Sequence, residues 1–306
     1  MDEFNSYDEY KRNIKKDIKT IKDENELKEL IKWISNYDKS KNKAPQTIEE
    51  LKSITELYLY NNQLSTLPDS IGKLTHLRKL DISGNKLSTL PDSIKKLTNL
   101  RELYLSKNRF ITLPESIGKL TNLTILYVSH NQLKDLPINI GNLINLEILN
   151  ISYNQLEVLP DSIGKLINLY EIDFCKNQLS TLPNSIGNLI NLKILDIGHN
   201  QFNILPSSIG DLINLHELNI SSNKLTILSD WIGNLVKLTN LNILYNKLTT
   251  LPNSIGNLIN LVELDVRANE LITLPKSIKN LPKEIQKNLK AVVRNKKIHK
   301  FLNKFR

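Results

Sequence analysis

From residue 54 onward, large apolar side chains return at fixed places in a cycle of 23 residues. In 100–122, Leu103 and Leu105 alternate with Tyr104, the period of two expected of a strand with one face buried. Leu100 begins the same inward row, and Asn108 stands where the chain must leave the strand, followed by Phe110. Leu113, Ile117 and Leu120 are then spaced four and three apart, which suits a short helical or 3-10 return path. Pro114 fits the first turn of that path, where a missing N–H does no harm, and Gly118 permits a tight bend behind it.

This skeleton recurs ten times from Ile54 to about Lys283 with no insertion or deletion. A single unit is too small to bury its own apolar face, so the units fold by stacking and sharing one core. The column Asn62, Asn85, Asn108, Asn131, Asn154, Asn177, Asn200, Asn223, Asn246 and Asn269 is the strictest constraint. An amide carries both donor and acceptor, so stacked asparagines can satisfy the backbone groups of a buried turn.

The string L-x-x-L-x-L-x-x-N-x-L, as it stands in 100–110, resembles the leucine-rich repeat. Its continuation L-P-x-S-I-G-x-L-x-N is similar to the 23-residue class of intracellular Ras-associated scaffolds and plant Ras-group-related proteins. The resemblance implies an α/β leucine-rich-repeat solenoid. A curved parallel sheet would form the concave side, short helical or 3-10 segments the convex side, and helical caps the ends. It also implies a non-catalytic scaffold or adaptor that binds protein, with a role in signalling and a Ras-type GTPase as partner by family analogy. Some related scaffolds recruit a phosphatase, but the [RK]-[VI]-x-[FW] docking run is absent.

Three regions follow. Residues 1–44 are expected to form an N-terminal helical cap of two short helices, with Tyr7, Tyr10, Ile14, Ile18 and Ile21 on one face. Asn25 would cap the second helix, which carries Leu27, Leu30, Ile31 and Ile34, and the cap would cover the open edge of the first strand. Residues 45–283 form the solenoid, entered by a half-repeat whose Pro45, Ile48 and Leu51 match Pro68, Ile71 and Leu74. Residues 284–306 form a basic helical cap or tail: Ile285, Leu289, Val292 and Val293, then Ile298, Phe301, Leu302 and Phe305 after a phase slip.

The net charge of +9 is unevenly spread. Residues 276–306 hold eleven Lys or Arg against one Glu, or +10, and residues 1–44 hold eleven bases against ten acids, or +1. That leaves −2 for the array. The alternative function is therefore a peripheral membrane or nucleic-acid adaptor acting through the segment 283–306. The one cysteine, Cys175, excludes an internal disulfide, no run of about 18 apolar residues appears, and the acidic start lacks a signal-peptide core. A soluble, cytoplasmic protein is expected.

No phosphate loop, kinase signature or H-E-x-x-H metal motif occurs, and the flanks leave no room for a catalytic domain. Neither enzyme activity nor a cofactor is expected. His130 and His199 share a column three strands apart, ~14 Å, too far to share a metal.

The columns of Glu102, Tyr104, Ser106 and Lys107 should face the concave side. Collected over all units they hold nine acids against Lys79, Lys107, Lys176 and Arg267, so this face is net acidic and suits a partner with a basic rim. Aromatics cluster toward its N-terminal half. The expected partner-binding set is Tyr58, Tyr60, Glu102, Tyr104, Lys107, Tyr127, His130 and Tyr153, since exposed tyrosines commonly anchor interfaces. The eighth unit departs from the pattern: Leu228-Ser229-Asp230-Trp231 replaces the usual Leu-Pro-x-Ser, placing Trp231 on the convex side as a gap filler or second contact. Lys95 and Lys279 stand where other units have Gly.

Overall fold

A computed structural model describes residues 2–38 and 44–302; the side chains of 2–14, 17, 18 and 295–302 lie outside that description. Ten three-residue strands, β1 (Glu56–Tyr58) to β10 (Glu263–Asp265), follow one per unit and form one parallel sheet in sequence order. Every pair is in register at 23 residues, as in Glu102↔Ile125, Leu103↔Leu126 and Tyr104↔Tyr127. The sheet faces one side of the solenoid and a five-residue 3-10 segment returns along the other, as in Glu115–Lys119. The 3-10 side is the bulkier layer, so stacking bends the array with the sheet on its inner face.

The inward rows are sealed: Leu100, Leu103, Leu105, Phe110, Ile117 and Leu120 are all fully buried. The asparagine column closes the turn behind the strand. Asn154 Oδ1 accepts from the Leu133 amide of the preceding unit at 2.9 Å. Its Nδ2 donates to Val128 O of that unit at 3.0 Å and to its own Ile151 O at 3.1 Å. The same offsets recur along the array, for example at Asn108 and Asn246.

Two details of the unit differ from expectation. Pro114 sits one position earlier, as the extended residue that caps the 3-10 segment (φ −69°, ψ 148°), so it presets the entry instead of occupying the first turn. The glycine behind it serves proximity instead of a bend. A Cβ placed on Gly141 would lie 2.5 Å from Ser162 O and 2.7 Å from Ser162 Cβ of the next unit. Glycine thus lets adjacent 3-10 segments touch.

A third difference is conformational. The strand ends earlier than the four concave columns suggest, and the residue before each ladder asparagine turns left-handed: Lys107, His130, Tyr153, Lys176, His199, Ser222 and Tyr245 have φ of 52–56°. Side chains of that column therefore stand on a turn beside the strand ends.

At the N-terminus a single helix, α1 (Asp2–Tyr37), replaces the two expected helices. Asn25 lies inside it because nothing in Lys22–Leu27 breaks a helix: there is no Gly or Pro, and the run is rich in Lys and Glu. Leu27, Leu30 and Ile34 are buried, whereas Ile21 is exposed; the rest of the expected apolar face, Tyr7, Tyr10, Ile14 and Ile18, lies outside the described side chains. Helix α1 packs on α2 (Ile48–Ser53) and on the first 3-10 segment, and Lys73 joins it to the array through Asp23 at 2.8 Å and Glu26 at 2.6 Å. Its last carbonyl, Tyr37 O, accepts from Asn62 Nδ2 at 2.5 Å, taking the place of a preceding unit in the ladder. At the other end α3 (Lys283–Leu302) buries Ile285, Leu289 and Val293; Ile298, Phe301, Leu302 and Phe305 lie outside the described side chains.

Candidate functional site

Tyr58, Tyr104 and Tyr127 occupy one outward column of the sheet, with Asp81 between the first two. Tyr104 and Tyr127 stack with ring centroids 5.4 Å apart and 12° between planes. The parallel register makes this unavoidable, since like residues in one column stand about 4.8 Å apart. Lys79 lies over both Tyr58 (5.8 Å) and Tyr104 (5.0 Å) and pairs with Glu102 at 2.8 Å. The Tyr104 hydroxyl donates to Glu102 Oε2 at 2.9 Å and the Tyr58 hydroxyl to Glu56 Oε2 at 2.7 Å. Burial, and then that bond to Glu102, push the Tyr104 hydroxyl up to about 12. Burial alone would raise the Glu102 carboxyl, but Lys79 and Tyr104 together hold it below the ordinary carboxylate value. Glu102 is therefore a neutralised buttress of the patch, not a free acidic rim.

His130, Tyr153 and Lys176 form a second stack from the left-handed column. The His130 and Tyr153 rings are 4.0 Å apart and nearly parallel, and Lys176 Nζ lies 4.4 Å from the Tyr153 ring. Lys107 stands exposed one unit before His130 in that column, and Tyr60 is half-buried on the first unit. The expected patch is thus two stacks on different columns: Tyr58, Tyr104 and Tyr127 with Lys79 and Glu102 on the strands, and His130 and Tyr153 on the turns.

Beyond the tyrosines the sheet carries Glu171, Asp173, Asp196 and Glu217, none of which pairs with a base among the described residues. Burial raises the Glu171 and Asp173 carboxyls above their ordinary range, and neighbouring acids add to it: Asp173 and Glu217 for Glu171, Asp196 for Asp173. Asp173, Cys175 and Asp196 come within 4.8 Å of one another. Their capacity is already engaged, because Asn150 and Asn219 amides donate to the two carboxylates at 2.9 Å each and the Cys175 and Gly198 amides to their other oxygens. Burial, then Asp196 and Asp173, push the Cys175 thiol up to about 12.

Two features escaped the sequence reading. A second, exposed amide ladder runs between the 3-10 segments and the strands, as in Asn145 Nδ2 to Thr121 O and Asn168 Nδ2 to Ile144 O, both 2.8 Å. Beside it Ile144, Ile167, Ile190, Ile213, Val236 and Ile259 form a half-exposed apolar row on six successive units. The L-x-N of seven units, absent at Leu74-Thr75-His76, Leu235-Val236-Lys237 and Leu281-Pro282-Lys283, was the available signal. Trp231 is buried in the convex layer, with its Cβ beside Gly210 of the preceding unit.

The sequence matches the family described as leucine-rich repeat region over residues 32–131 and 162–248, and single leucine-rich repeats over 122–143 and 145–166. No curated protein matches it. Among solved structures, a leucine-rich-repeat protein of Leptospira interrogans is 30% identical, with 78% of this chain and 79% of that one covered and a TM-score of 0.57. The ectodomain of the Arabidopsis thaliana membrane receptor kinase GASSHO1/SCHENGEN3, in complex with CASPARIAN STRIP INTEGRITY FACTOR 2, is 30% identical over 78% of this chain but only 33% of its own, at TM-score 0.64. The functional domain of InlJ from Listeria monocytogenes, which includes a cysteine ladder, is 28% identical over 79% of this chain and 51% of that one, at TM-score 0.67. With its repeat, its sheet and its asparagine ladder all of this kind, the chain belongs to the leucine-rich-repeat family.

Proposed function

We propose that the chain is a non-catalytic protein-binding scaffold whose partner docks on the concave sheet over the third to fifth units. The observation that carries this reading is the half-buried Tyr104–Tyr127 stack, held rigid by the sheet register and by Glu102 and Lys79. A preorganised aromatic pair costs little entropy to bury, which is the property of an interface anchor. The acids Glu171, Asp173, Asp196 and Glu217, none paired with a base among the described residues, favour a partner that brings a basic segment toward the C-terminal half. The complex recorded for the similar Arabidopsis ectodomain supports a protein ligand. A signalling role and a Ras-type GTPase rest on the likeness of the repeat motif alone, and a cytoplasmic setting on the single free cysteine.

Affinity capture on the intact chain, followed by mass spectrometry, supplies the partner. Tyr104→Ala with Tyr127→Ala should weaken its binding by about 2–4 kcal/mol, ~30- to 1000-fold. Asp196→Ala with Glu217→Ala should chiefly slow association and flatten its salt dependence. Binding untouched by the tyrosine pair but lost with the acidic pair would move the site toward the C-terminal half.

A second reading, polyanion binding by 283–306, draws on α3: its buried Ile285, Leu289 and Val293 leave Lys283, Lys287, Lys290 and Arg294 exposed. Deletion would open the core, so Lys287→Glu, Lys290→Glu and Arg294→Glu together are the cleaner test. Salt-sensitive binding to anionic vesicles or RNA that survives this change would refute that reading.

A further inference from the structure

Arg78 and Arg101 leave the array at the same position of consecutive units, one residue before β2 (Lys79–Asp81) and β3 (Glu102–Tyr104). The Arg101 amide donates to Arg78 O at 2.7 Å, so the two side chains start from directly adjacent backbones. Like charges facing each other across a parallel pair are unfavourable. Four cations of the array are paired with carboxylates: Lys73 with Asp23 and Glu26, Lys79 with Glu102, Lys95 with Asp92, and Arg267 with Asp265. Among the described residues neither the Arg78 nor the Arg101 guanidinium has an ion pair or side-chain hydrogen bond.

The two guanidinia line a surface hollow of about 780 Å³ between α2 and the first strands, together with Lys52, Ser53, Thr55 and His76. Glu49 is the one carboxylate in its lining, against three permanent cations. Asn99 and Asn122 also face it, but each amide already donates to the exposed ladder, at Thr75 O and Thr98 O. The donors left over are therefore the guanidinium forks, the Lys52 ammonium, the His76 imidazole and hydroxyls. Forked planar donors match the paired oxygens of a tetrahedral oxyanion, and two side by side suit more than one negative charge. The hollow is far larger than a bare anion and in the size range of sites for small organic ligands.

We propose that Arg78 and Arg101, with Lys52, form a binding site for a phosphate-type dianion, the shared chemistry of a free phosphate and a phosphorylated side chain. The site lies on the rising edge of the array, one residue from Lys79 and Glu102 in the chain, and does not require the concave patch to be occupied. No group is transferred; binding neutralises the adjacent cations and removes their repulsion.

The test is calorimetric titration of the full chain at low ionic strength with inorganic phosphate, a short phosphoserine peptide and the same peptide unphosphorylated. The variants are Arg78→Gln with Arg101→Gln, and Arg109→Gln as an exposed arginine outside the hollow, with matched circular dichroism and urea midpoints to establish that all fold. Saturable binding of phosphate or phosphopeptide, weakened about tenfold or more by the double variant and unchanged by Arg109→Gln, is the expected result. Phosphopeptide binding well above that of phosphate would identify a phosphorylated protein as the source, and equal binding a free anion. Binding of neither probe at millimolar concentration, equal loss in Arg109→Gln, or equal affinity for the unphosphorylated peptide would each overturn the proposal.

Discussion

Asn154→Ala is the sharpest probe of what holds the solenoid together. The side chain lies 8% exposed and makes three short bonds: from the Leu133 amide to Oδ1 at 2.9 Å, and from Nδ2 to Val128 O at 3.0 Å and Ile151 O at 3.1 Å. A fourth, to Ser152 O at 3.2 Å, shares the same amide. A net hydrogen bond contributes about 1 kcal/mol, and an orphaned buried donor such as the Leu133 amide costs about 1–3 kcal/mol. The loss should therefore be about 3 kcal/mol. Asn145→Ala, which removes one 2.8 Å bond at an exposed position, should cost about 0.5 kcal/mol. Urea midpoints give the apparent loss, and amide hydrogen exchange at Leu133 reads the orphaned donor directly. Equal shifts for the two variants, or unchanged protection at Leu133, would refute the assignment of the buried ladder as the structural one.

Gly141→Ala should destabilise by about 1–3 kcal/mol, read by thermal melting, because its Cβ would meet Ser162 of the next unit. Cys175, with its thiol pushed up to about 12, should react with iodoacetamide far more slowly in the native chain than in urea at mildly alkaline pH. Tyr104 should ionise near 12, not at the ordinary 10.0, in a tyrosinate absorbance titration, and Tyr104→Phe should remove that late component. Because its folded-state value is raised, its contribution to stability is complete below the ordinary value and lost as pH climbs toward the folded one. Glu102→Gln should bring the value part of the way down, burial being the larger cause.

The repeat was legible because its determinants are local and copied ten times: a period of two, a period near three and a half, and one amide per turn. What remained hidden needed either three dimensions or a column-wise eye. The left-handed turn at Lys107 and its equivalents had a signal, since that column holds Asn, Gly, Lys, His, Tyr, Ser and Ala but no β-branched residue. The column gave the identity of His130 and Tyr153 but not their stacking, which follows from the turn. Tyr104 and Tyr127 were predictable neighbours. That Lys79 would slide between Tyr58 and Tyr104 and cancel Glu102 depends on side-chain reach, which no spacing encodes. The unbroken α1 was missed because Asn25 looks like a cap, although the absence of Gly and Pro from Lys22–Leu27 was a local signal that the helix runs through it.

The buried ladder also governs how such a chain can change length. From Asn85 on, each asparagine accepts from an amide 21 residues earlier and donates to a carbonyl 26 residues earlier, so every seam measures the contour of the unit before it. One residue added within a unit would slide both partners out of reach at once, whereas removing all 23 would bring identical groups back into place. Growth and loss are thus counted in whole turns. The Tyr37 carbonyl, which receives the first amide in place of a preceding unit, lets the count begin at any number.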